Sequence, residues 1–292
     1  MRTESAGGTN AGAYASILTA AALWGVIGLW NRALMARGLS PVEIVAVRNF
    51  GGMVLLAAYF AVRDRSVFRI RWEHLKYFFG TGIVSVVFFT VCYFSCQRIC
   101  SLAVASILLY TAPSFVVVLS AVLWGEPVTK RKLCALGLTL LGCALVCGVL
   151  GGDLSATGAG VLLGLGAGFF YALYSIFGRY ALAHYPPMTV TVWTFLLAGP
   201  ASLVFLARSD RAALGEAGTL ALGLGLALFS TVLPYLLYTR GLAKVEAGRA
   251  SIMASLEPVV ASLAGVLVFH EPMGFGTLLG IVCVLAGVWI LR

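Results

Sequence analysis

Apolar residues run through this chain in long continuous stretches, broken only by short charged or Pro/Gly-rich turns. The windows predict helices near 13–31, 42–62, 75–97, 102–124, 132–150, 158–180, 188–207, 217–239, 247–269 and 273–291. The sharpest breaks are Arg63-Asp64-Arg65-Ser66, the Glu126–Lys132 segment, His184-Tyr185-Pro186-Pro187 and His270-Glu271-Pro272. Barrel strands would alternate apolar and polar positions, and these runs do not. The expected fold is an all-α polytopic membrane protein of ten transmembrane helices. Residues 1–11 are small and polar, and the first apolar run is long enough to span and lacks a clear cleavage site, so it reads as a helix and not a removed leader.

Composition agrees with this reading. The 292 residues are 61% hydrophobic and 11% charged, with a mean hydropathy of +0.99, which excludes a soluble domain and a disordered chain. The net charge of +9 would suggest nucleic acid in a soluble protein, yet the cations here sit in the short turns. Of the 20 Lys and Arg, fourteen fall on the ends shared with both termini, five on the opposite ends, and Arg48 inside a helix. The bias predicts that both termini are cytoplasmic, in a cytoplasmic (inner) membrane, with the lipid bilayer as partner and no nucleic acid.

The sequence also matches itself. Residues 105–114 lie over 250–259 at a shift of 145, which carries Glu126-Pro127 onto Glu271-Pro272. A shift of 147 places residues 24–32 over 171–179. This divides the chain into a first five-helix repeat, 1–150, and a second, 151–292. Five is odd, so the second half would enter the membrane inverted, the plan of many secondary transporters with a substrate site near the midplane.

Glu257 is the most informative residue, because it falls about ten residues into the ninth helix, ~15 Å deep. A carboxylate there costs roughly 2.5–3.5 kcal/mol on insertion scales and marks a functional site by default, with proton coupling as one role. Arg48 lies about two turns into the second helix and reaches a similar depth from the other face. It would either pair with Glu257 or hold a substrate carboxylate; snorkelling outwards is the alternative. Trp24 and Asn31 share a face of the first helix, and Tyr171 and Tyr174 recur on the sixth. With Tyr93, Tyr110, Trp193 and Tyr235 they form a candidate amphipathic pocket, although belts and packing explain many membrane aromatics. Pro113 and Pro258 stand at matching positions in the fourth and ninth helices and are candidate hinges. The two Glu-Pro pairs read as structural turns. Glycine ridges at Gly160, Gly164, Gly168 and at Gly276, Gly280 fit close packing, within the fold or between two copies in a homodimer. The seven cysteines show no CxxC or Cys/His cluster, so no metal and no cofactor are expected. No Walker loop or hydrolytic triad motif occurs either.

Taken together, Trp24-Gly25, Arg48-Asn49-Phe50, the 109–115 segment, Glu126-Pro127, residues 256–259 and Glu271-Pro272 resemble, in order and spacing, the drug/metabolite transporter superfamily and its EamA-type branch of ten-helix carriers. The resemblance covers essentially the whole chain. It implies that helices one to four and six to nine surround a central cavity while five and ten lie peripherally. It implies a non-enzymatic secondary carrier of small polar metabolites, foremost an exporter of amino acids or related metabolites. A carrier of quaternary amines such as choline is the second expectation, and an intramembrane enzyme a distant third.

Overall fold

The computed structural model describes residues 6–150, 154–206 and 214–291. Among them every regular element is helical, as the apolar windows require: in hydrocarbon a backbone that satisfies its own hydrogen bonds must be a helix or a closed barrel. Eight segments are long and apolar enough to cross a membrane: α1 (Ala11–Met35), α2 (Pro41–Arg63), α3 (Trp72–Gln97), α4 (Leu102–Trp124), α6 (Gly158–Leu182), α7 (Pro187–Leu206), α8 (Ala217–Leu242) and α9 (Ala247–Phe269). The other two windows are occupied by shorter helices, α5 (Lys130–Val146, 17 residues) and α10 (Phe275–Ile290, 16 residues).

Local signals fix the ends. Ser40 and Glu43 form a capping box before Pro41 at the start of α2. The hydroxyls of Ser101, Thr129 and Thr157 accept the N–H groups of Val104, Lys132 and Gly160 to start α4, α5 and α6. Gly125 ends α4 in the left-handed region at φ 66°, and His270 ends α9 in the same way at φ 55°, a shift of 145 later.

The central cluster draws on α1 to α4 and α6 to α9, with Ile17, Leu56, Val116, Phe195, Leu242, Ile252 and Met253 buried. α5 and α10 pack chiefly on each other and otherwise mainly on α9, so they lie at the side of this cluster. Their contact is backbone on backbone: a Cβ on Gly280 would stand 2.7 Å from the carbonyl oxygen of Gly142. The ridge on α6 is likewise filled from within the chain, by Cys100 at Gly160, Leu108 at Gly164 and Thr111 at Gly168.

Five of these helices are irregular, and the irregularities fall at related places. α1 breaks at Val26, α4 at Tyr110-Thr111 and α9 at Ser255-Leu256, and wide π turns occupy Gly80–Val87 in α3 and Leu228–Val232 in α8. In α4 and α9 the cause is Pro113 and Pro258: each lacks the N–H that would bond one turn back and clashes with that turn's carbonyl. The break therefore precedes each proline.

Candidate functional site

The break in α9 places Glu257 at the first turn of its second half, Glu257–Phe269. α1 approaches here because residue 25 is glycine. A Cβ at Gly25 would meet the Glu257 carbonyl oxygen at 2.7 Å, so any larger residue would push α1 off this turn. The break in α4 presents Tyr110 to the same space, where it lines the cavity together with Glu257. From α2, Arg48 lines the same space and keeps its Nε buried without a protein partner.

These groups share a cavity of about 420 Å³ lined by Asn31, Arg48, Phe89, Tyr93, Gln97, Tyr110 and Glu257 among others. Its mouth is formed by Met35, Pro41 and Leu102, at the turns joining α1 to α2 and α3 to α4. Arg48 and Glu257 form no ion pair with each other or with another side chain among the described residues. Below Glu257 the space narrows to two voids of about 20 Å³. One is lined by Pro113, Tyr171, Ser255 and Glu257, the other by Trp24, Tyr171, Tyr174, Tyr235 and Tyr238.

An aromatic box closes the second void. Tyr235 meets Trp24, Tyr174 and Phe195 edge to face at centroid distances of 5.2, 5.0 and 5.0 Å. Its hydroxyls are tied to neighbouring helices: Tyr174 to Thr239 at 2.7 Å, and Tyr238 to Ser175 at 2.8 Å. The cavity is thus open at the α1–α2 end and shut at the other.

Nine of the ten substrate-site residues expected from sequence come to this cavity or its two extensions: Trp24, Asn31, Arg48, Tyr93, Tyr110, Tyr171, Tyr174, Tyr235 and Glu257. Trp193 lies elsewhere, against Phe78 at 5.8 Å in a separate cluster. Pro113 lines the void under Glu257, and Pro258 is buried beside it. Of the three arrangements expected for Arg48, paired with Glu257, unpaired on the cavity or snorkelling outwards, the structure has the second.

What the sequence reading missed is the closed end. Glu126, read as part of a turn, is 7% exposed and accepts the N–H groups of Ala247 and Gly248 at 3.0 and 3.3 Å. Lys132, 2% exposed, lies 3.7 Å from Glu126 and 3.1 Å from Glu246; Arg179 lies 3.8 Å from Glu126. Arg249 adds a contact to Glu246 at 3.1 Å. The one available signal was the repetition of Glu-Pro at the shift of 145.

Comparison with known proteins places these features in context. The model of the EamA-like transporter family matches residues 12–148 and, separately, 158–292. An uncharacterized transporter of Archaeoglobus fulgidus is 31% identical over 276 residues, covering 91% of this chain and 97% of that protein. The threonine/homoserine exporter RhtA of Escherichia coli K12 is 30% identical over 252 residues, covering 82% of this chain and 79% of that protein. A solved crystal structure superimposes with a TM-score of 0.83 over 96% of both chains at 18% identity, a likeness of fold.

Proposed function

The chain belongs to the EamA-like transporter family and is a membrane transporter, and we propose that its substrate is a zwitterionic amino acid or a close relative, moved outward by alternating access. The observation that carries this reading is that Arg48 and Glu257 line one cavity without pairing. A guanidinium in such a place takes a carboxylate through two parallel N–H donors. The Glu257 carboxylate supplies the partner for an ammonium, and Asn31, Tyr93 and Tyr110 offer neutral hydrogen-bonding groups between them. A quaternary amine would satisfy Glu257 and the aromatic rings but leave the Arg48 guanidinium facing a cation across the cavity. The threonine/homoserine exporter among the relatives supports the same class of substrate and the outward direction.

In this reading all ten helices cross a cytoplasmic membrane, the two halves are inverted copies, and both termini are cytoplasmic. The two stretches matched by the family model support two copies. The open mouth then faces outside, and the ion-paired end faces the cytoplasm. Substrate on Arg48 and Glu257 would be released outward, and protonation of Glu257 after release would couple the return of the empty carrier to the inward movement of a proton.

Counterflow in proteoliposomes tests this. Vesicles preloaded with unlabelled amino acid should accumulate the labelled one, and Glu257→Gln and Arg48→Ala should each lower the accumulation at least tenfold. Accumulation of quaternary amines alone, or no effect of either substitution, would overturn the assignment.

A further inference from the structure

The closed end of the cavity has a counterpart at the open end. At the shift of 145, Glu126 corresponds to Glu271, and Ala247, the first residue of α9, to Leu102, the first of α4. At 147, Arg179 corresponds to Arg32. The structure pairs each arginine with the glutamate of the other half: Arg179 with Glu126 at the closed end, Arg32 with Glu271 at the open end.

The two ends differ in one respect. Glu126 is buried and holds the first two N–H groups of α9, with Ala247 fully buried beneath it. Glu271 is half-exposed, bonds Arg32 and makes no bond to α4; Leu102 is 65% exposed. At the open end the first turn of α4 is held by its own Ser101 hydroxyl, through Val104 N–H.

We infer that Glu126 and Glu271 are alternating latches, each capping the first turn of the opposite half's cavity helix when its own end of the cavity is shut. Opening the inner end breaks the Glu126 bonds to Ala247 and Gly248. Closing the outer end brings α4 onto Glu271, which then accepts the N–H of Leu102 while Arg32 stays beside it as Arg179 does now. A carboxylate at a helix N-terminus is stabilised by both the N–H donors and the helix dipole, and each latch trades one such contact for the other. Both states thus keep one cap and lose one, which leaves the transition close to balanced. The inference rests on the inverted-halves reading but not on the identity of the substrate.

The test reads the open end directly. A cysteine introduced at Val45, which lines the cavity, is labelled with a membrane-impermeant maleimide added at the α1–α2 side, and labelling of the parent with its seven native cysteines is subtracted. Glu126→Gln weakens two charge-assisted bonds and should lower labelling about tenfold. Ala247→Pro removes only one of the two donors, at a helix position where proline is well tolerated, and should lower it less. Adding Glu271→Gln or Leu102→Pro to either variant should restore labelling, because the competing latch is then lost as well. Unchanged labelling in Glu126→Gln and Ala247→Pro, or no restoration by the second substitution, would overturn the latches. Should Glu126→Gln fail to fold, the proline pair carries the same comparison. Labelling needs no substrate, so a failure of counterflow and a failure of the latches are read separately.

Discussion

The Arg48 guanidinium and the Glu257 carboxylate come from opposite halves of the chain, line one cavity, and do not close on each other as an ion pair. Unpaired opposite charges at this depth are costly to keep. The arrangement is stable in use when a ligand bearing both charges occupies the space between them.

Each contact is therefore expected to contribute as a hydrogen bond to a charged group does, ~1.5–3 kcal/mol. Arg48→Lys, which loses the planar fork, and Glu257→Gln should each weaken substrate binding roughly 10- to 100-fold. Titration calorimetry on purified protein measures this. An analogue without the amino group should bind wild type and Glu257→Gln alike; a large difference between them would remove Glu257 from the ammonium site.

Proton coupling gives a separate expectation. If protons enter as substrate leaves, acidifying the side on which the cavity opens should speed outward transport by wild type, since protonation there neutralises the empty Glu257. Glu257→Gln is already neutral and should be indifferent to the gradient. Flux in proteoliposomes with an imposed pH step distinguishes the cases: equal gradient sensitivity in both proteins would mean that coupling, if any, lies elsewhere.

Gly25 predicts a steric effect beside the site. Its missing Cβ leaves room for the Glu257 carbonyl and the Val260 side chain, so Gly25→Ala should cost ~1–3 kcal/mol by overpacking. It should also reduce transport, because relief requires α1 to move away from the break in α9. Gly28→Ala, one turn on with open space at its Cβ, is the control and should be neutral or slightly stabilising. Thermal unfolding followed by helix content, with flux measured in parallel, checks both; equal behaviour of the two variants would refute the close approach.

The α5–α10 contact should behave differently. Gly142→Ala and Gly280→Ala both drive a methyl into backbone 2.7 Å away, and each should cost ~1–3 kcal/mol. Neither helix lines the cavity, so the substrate Kd should stay unchanged. A tenfold change in Kd with unaltered stability would mean that this pair takes part in the transport site.

How much of this was legible beforehand depends on the range of the interaction involved. Helix positions could be read because twenty apolar residues in a row have few alternatives in a bilayer, and the helices start and stop where Ser40, Thr129, Thr157 and Gly125 stand. Glu257 and Arg48 were conspicuous as charges far from any turn. The breaks before Pro113 and Pro258 follow from local backbone chemistry. What one dimension could not decide is which distant groups meet. Trp193, like Tyr171, is an aromatic residue within a long apolar helix, yet α7 turns it to Phe78 and not to the cavity. Glu126 sits in a charged turn, and only the arrival of α9, 121 residues later, makes it a buried cap. Whether Arg48 and Glu257 would pair or face a shared cavity was likewise open until α2, α4 and α9 were set against one another. Periodicity and hydropathy act within a helix and its nearest turns, so the sequence alone determined the apolar segments and where they start and stop. The ion-paired end, the aromatic box and the unpaired charges arise from contacts between segments, and these were decided by tertiary packing.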